Sequence, residues 1–172
     1  MATLFLFSLN MVQSQADLIN ATYSNSTHSV YQTNATYEFE EGTILCDTAY
    51  CSIHCDHEYA CQYINISAHD AVSTNIQCAG KNGCKYMSAS IDNVSSVTVS
   101  CAKYKSCYSL EVAINASSVQ IDCGHKKSCQ TGEMTIVADT VLITANHENA
   151  LDSATIDGKQ VDDGFVSLSH CV

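Results

Sequence analysis

A Cys-x5-Cys pair recurs four times along this chain at an almost constant interval, and this recurrence restricts the fold more than any other feature. Cys55/Cys61, Cys78/Cys84, Cys101/Cys107 and Cys123/Cys129 begin 23, 23 and 22 residues apart. A fixed period of this size is the signature of a solenoid, in which each repeat is one coil stacked on the last. One further period leads to Ala145 and, six residues on, to Leu151. Both cysteines are replaced together by small or apolar residues, so the two positions are expected to point inward.

After each second cysteine, alternate positions are apolar or small: Ile64, Ile66, Ala68; Met87, Ala89, Ile91; Leu110, Val112, Ile114; Gly132, Met134, Ile136; Ala154, Ile156, Gly158. A period of two is a strand with one buried face. A second strand precedes each new coil, as in Val97–Cys101, Val119–Cys123 and Val141–Ala145, and Val166–His170 is expected to follow in step. Equivalent strands of successive coils would pair in parallel, about 4.8 Å apart. A helical repeat fails on the period, and on the Ser, Thr, Val and Ile that dominate the elements.

In coil length, strand alternation and the Cys-x5-Cys frame, the chain resembles the disulfide-rich right-handed parallel β-helix (β-solenoid) repeat proteins that are secreted. The resemblance covers residues 46–172. It implies an all-β fold, a right-handed parallel β-helix of about five coils with a 22–23-residue repeat, preceded by an extended N-terminal β arm. It implies nothing about activity. Three zones follow: a signal peptide (1–16), a glycosylated arm (17–45) and the cysteine-stapled solenoid (46–172).

The cysteines also indicate a compartment. Eleven cysteines in 172 residues, ten of them in regular pairs, point to disulfides and an oxidising environment. Zinc is the competing explanation, but its sites favour Cys-x2-4-Cys and closed sets of four ligands. Closing each loop on itself pairs Cys55–Cys61, Cys78–Cys84, Cys101–Cys107 and Cys123–Cys129, with Cys46–Cys51 as a shorter loop. Pairing between coils (Cys55–Cys78, Cys61–Cys84) balances numerically too. The within-coil loops are favoured, because in-register side chains of parallel neighbours run side by side and suit disulfide torsions poorly. Cys171 is left without an assigned partner.

The N-terminus agrees with secretion. Thr3–Leu9 is a short apolar core and Ser14-Gln15-Ala16 a small-x-small cleavage signature, although no Lys or Arg precedes the core. The run is too short to span a bilayer, and no other segment is apolar enough to do so. Six Asn-x-Ser/Thr sequons, at Asn20, Asn25, Asn34, Asn65, Asn93 and Asn115, are expected to carry covalent N-glycans. Asn93 and Asn115 each stand eight residues before the next coil's first cysteine, so their glycans are expected to form a column.

A net charge of −11 without a single Arg excludes general nucleic-acid binding, which needs a basic footprint. Six of the seven lysines nevertheless fall in or beside the cysteine loops: Lys81, Lys85, Lys103, Lys105, Lys126 and Lys127. Stacked loops would make them a basic stripe, either a solvated edge that resists sheet-to-sheet sticking or a docking site for something acidic. His57, His125 and His147 share the third place of their loops, but no carboxylate or cysteine set completes a metal site around them. No cofactor is expected. Asp70, Asp92, Asp122 and Asp139 do not fall into one register, and there is no Arg and no Trp or Phe platform for sugars. A polysaccharide-cleaving enzyme is therefore not expected. The outward Ser/Thr/Gln rows are too irregular for an ice-binding face.

A β-helix has two open ends whose strand edges need covering. The arm contains a β-prone stretch, including Val30, Tyr31, Tyr37 and Phe39, that could add as a strand to a neighbouring subunit. The leading expectation is a secreted, glycosylated structural protein that polymerises head to tail into an extracellular fibril. The alternative is a monomeric surface or matrix glycoprotein that binds acidic glycans through the lysine stripe, its arm folded over its own first coil.

Overall fold

The computed structural model describes residues 19–24, 27–33, 42–157, 159–161 and 170–171. They form a parallel β-solenoid of about five turns with no helix among them. Each coil has two strand faces and one turn edge. The first face holds β3 (Gly42–Cys46), β5 (Ile64–His69), the leading half of β7 (Ser88–Cys101), the leading halves of β8 (Glu111–Cys123) and β9 (Glu133–Ala145), and β10 (Ala154–Ile156). The second face holds β2 (His28–Thr33), β4 (Tyr50–His54), β6 (Ser73–Cys78) and the trailing halves of β7 to β9.

Strict alternation makes the core. Along β8 every second residue from Val112 to Ala116 is buried and its neighbours are exposed. Parallel register then stacks like on like: Ile66, Ala89, Val112, Met134 and Ile156 form one inward column, and Ile53, Ile76, Val99, Ile121 and Ile143 another. The inward positions read from the sequence are buried; Gly158 lies outside the described residues. Ala145 and Leu151 are as buried as the cysteines whose places they take, at 4% and 2% exposure.

The change from a 23- to a 22-residue period has a local cause. Ile91 pairs with Ile114 but Val94 pairs with Ala116, so one residue is lost at the corner between the two faces, not in the cysteine turn. Asn93 and Asn115 are therefore not superposed as expected. Asn93 Nδ2 donates to Asp70 of the coil below, whereas Asn115 Nδ2 donates to Asp92 Oδ1 at 2.8 Å.

Both ends depart from simple repetition. The solenoid begins at β3, inside what the sequence suggests is arm, and β2 continues the second face by pairing in parallel with β4. Outside β2 lies β1 (Ile19–Ser24), antiparallel to it. At the other end the chain doubles back: β11 (Lys159–Val161) is antiparallel to β10, and β12 (His170–Cys171) is antiparallel to β9. The expected in-step parallel strand through His170 is thus replaced by a reversed one. A reversed strand fills the last edge without requiring another coil to cover it.

Candidate binding edge

The turn edge is built by two left-handed residues per coil. The first series is Tyr59, Asn82, Lys105, Lys127 and Asn149, with φ of 54 to 62°. The second is Tyr63, Tyr86, Ser109, Thr131 and Ser153, with φ of 53 to 60°. Non-glycine residues avoid this region, at about 1–3 kcal/mol each where they are forced into it. Inter-coil hydrogen bonds offset the strain: Tyr59 N–H donates to the Lys81 carbonyl at 3.3 Å and Asn82 N–H to the Tyr104 carbonyl at 3.3 Å. Tyr86 N–H reaches the Tyr108 carbonyl and Thr131 N–H the Asp152 carbonyl, both at 3.0 Å. Packing demands glycine at position 80, since a Cβ there would lie 1.8 Å from the His57 carbonyl oxygen.

The disulfides close within coils, as favoured from the sequence: Cys46–Cys51, Cys55–Cys61, Cys78–Cys84, Cys101–Cys107 and Cys123–Cys129. Sulfurs of adjacent coils approach within 4.8 Å in the sets Cys55/Cys61/Cys84 and Cys78/Cys84/Cys107, all buried. Being oxidised, they offer no thiolate to a metal and act as a packed sulfur column behind the edge.

Outside that column the side chains form a ladder of rings and ammonium groups. Tyr63 and Tyr86 stack at 5.2 Å, and Tyr86 meets Tyr108 edge-on at 6.1 Å. Lys85 Nζ lies 4.6 Å from the Tyr86 ring centre, and Lys105 Nζ lies 4.8 Å from that of Tyr108. Tyr104 continues the ladder to His125, which stacks on His147 at 5.8 Å, as their shared loop position predicts. Lys81 is paired with Glu58 at 3.1 Å, and the hydrogen bond and charge of Glu58 raise its pKa above the usual lysine value. Lys103, Lys126 and Lys127 form no ion pair among the described residues.

Beside this ladder the first face carries a hollow of about 470 Å³, lined by Tyr63, Asn65, Tyr86, Ser88, Ser109 and Glu111. Farther along the same face the outward rows Asn65–Ser88–Glu111–Glu133 and Ser67–Ser90–Ala113–Thr135 line an open trough. This tyrosine platform is not among the features expected from the sequence, although Tyr63 and Tyr86 stand two places after successive second cysteines. Of the sequon asparagines, Asn65 lies in the hollow, Asn93 and Asn115 at the face-to-face corner, and Asn20 in β1. Asn25 and Asn34 lie outside the described residues.

Val30 and Tyr31 sit on the chain's own β4, opposite Ser52 and Ile53, and the Tyr31 hydroxyl donates to the Leu45 carbonyl at 2.8 Å. Tyr31 packs over the open end of the core. A tethered segment fills this edge without the entropic penalty of association. Tyr37 and Phe39 lie outside the described residues. No protein-family model, curated protein or solved structure matches this chain.

Proposed function

We propose that this protein is a secreted, N-glycosylated, disulfide-stapled scaffold whose turn edge binds acidic glycans. The observation that carries the reading is segregation of charge. In a chain of net charge −11, six of seven lysines are gathered on three consecutive turns. Five of these, Lys85, Lys103, Lys105, Lys126 and Lys127, have no acidic partner among the described residues, and tyrosine and histidine rings are interleaved with them. Rings beside ammonium groups suit a polymer that offers both sugar faces and carboxylate or sulfate groups. Five disulfides fit an oxidising compartment, and no helix among the described residues is long and apolar enough to cross a membrane.

The test is retention on an immobilised sulfated or uronate polysaccharide. Wild-type protein should bind at low salt and elute as ionic strength rises, because exposed charges are screened beyond about 8–10 Å in 0.1–0.15 M salt. The triple variant Lys103→Glu, Lys126→Glu, Lys127→Glu should pass through unretained while keeping its melting temperature. Equal retention of the two proteins, or no retention of either, overturns the reading.

The head-to-tail fibril is the second reading, favoured by one observation. Among the described residues the outer edge of β3 has no strand partner, and Leu45 on it is 61% exposed. Salt-resistant filaments in negative-stain electron microscopy would support polymerisation, since backbone pairing persists at ionic strengths that abolish lysine contacts. A clean monomer at high concentration would sink it.

A further inference from the structure

The hollow beside the turn edge contains a sequon. In Tyr63-Ile64-Asn65-Ile66-Ser67 the tyrosine is the left-handed residue just before β5 and the asparagine an outward residue of β5, so both are exposed while Ile64 and Ile66 are buried. Tyr63 does not stand alone: Tyr86 stacks on it from the next coil, and both rings are well exposed, at 43% and 39%. Ser88 Oγ donates to Asn65 Oδ1, which fixes the carboxamide by its oxygen. Its nitrogen Nδ2, the atom that carries sugar in an N-glycan, makes no hydrogen bond among the described residues. The two other solenoid sequons differ, because Asn93 and Asn115 both donate through Nδ2 to aspartates of the coil below.

We propose that Asn65 carries an N-glycan whose first N-acetylglucosamine lies in this hollow, its apolar face against the rings of Tyr63 and Tyr86. The inference rests on the secretory reading above and names what fills the site. In the transfer, Asn65 Nδ2 bonds to the anomeric carbon of a lipid-linked oligosaccharide as that carbon's bond to the lipid pyrophosphate breaks. One amide proton is lost, and the lipid pyrophosphate leaves. The hollow, about 470 Å³, falls within the range of small-molecule sites, roughly 300–1,000 Å³. Ser88, Ser109 and Glu111 on its floor supply hydrogen-bonding groups for the sugar's hydroxyl and acetamido groups. The occupant is tethered, so it docks without the entropic penalty that a free sugar would meet.

The experiment uses the full chain secreted from eukaryotic cells with the glycan acetyl groups isotopically labelled. Mapping by mass spectrometry should find Asn65 occupied. The acetyl methyl resonance of its first sugar should lie upfield of the free-sugar position, because the methyl sits over aromatic rings. Ser67→Ala, which destroys the sequon and leaves Asn65 in place, should delete that resonance and so assign it. Tyr63→Phe should keep the upfield shift and Tyr63→Ala should return the methyl to the free position. An unoccupied Asn65 overturns the proposal together with the glycosylation of this site. An occupied Asn65 whose methyl resonates at the free position in the wild-type protein overturns the docking alone. The wild-type spectrum decides between those outcomes even if Tyr63→Ala fails to fold.

Discussion

The fourth and fifth coils make nearly the same turn, one with a disulfide and one without. In the fourth, Cys123 and Cys129 are bonded; in the fifth, Ala145 and Leu151 stand in their places. Yet Asn149 and Ser153 take the same left-handed conformations as Lys127 and Thr131. The carbonyls of Asn149, Ala150 and Asp152 also receive the N–H groups of Lys127, Cys129 and Thr131 in the usual ladder. Ladder hydrogen bonds and an inward apolar pair therefore suffice to shape the turn. The disulfide's contribution lies mainly in the unfolded chain, where closing so short a loop removes roughly 2 kcal/mol of entropy.

Variants that break this equivalence should do so in a definite order. Cys101→Ser with Cys107→Ser removes a staple and leaves two hydroxyls in a fully buried column, so it should lose about 4 kcal/mol or more in denaturant unfolding. Cys101→Ala with Cys107→Leu copies the fifth coil instead. It should fold to the same strand content and lose only about 2 kcal/mol, the entropy of the missing loop closure. A loss as large as that of the serine pair would mean that the bond itself shapes the turn.

The reverse exchange, Ala145→Cys with Leu151→Cys, should form a sixth disulfide, verified by mass mapping. It should gain about 1–2 kcal/mol, somewhat reduced by the apolar volume given up at Leu151. The smallest effect is expected at the edge of the turns. Folding raises the Lys81 pKa through Glu58, so any stabilisation is present below the ordinary lysine pKa and lost as pH rises through the raised value. The pair is solvent-exposed, and Glu58→Gln should leave the melting temperature at neutral pH unchanged. A clear drop would show that the Glu58–Lys81 contact secures the first turn.

What repeats in this protein was legible in its sequence, and what occurs once was not. The Cys-x5-Cys frame with the Ala145/Leu151 exchange located the turn edge, and alternation located the inward residues from Ile64 to Ile156. The His125–His147 stack followed from a shared loop place. The reversed strands β11 and β12 have no counterpart in any other coil, so no periodic argument reaches them. The corner shift between Ile91 and Val94 changes the period by a single residue without saying where in the coil it falls. The Tyr63–Tyr86 platform did repeat, but its left-handed positions lie outside the strand pattern used to align the coils.

Among the described residues every disulfide closes a loop inside one coil and none joins two coils, so the stack behaves under tension as a row of separable links. Pulling on the C-terminal end would peel coils one after another against hydrogen bonds and apolar packing alone. The coils differ in the slack they release. A bonded pair short-circuits the five residues between its cysteines, so a stapled coil would lengthen the chain by roughly 60 Å and the unstapled fifth by about 75 Å, at 3.3–3.6 Å per residue. A force–extension trace would then read the staples as shortened steps, and adding reductant would restore the missing length coil by coil.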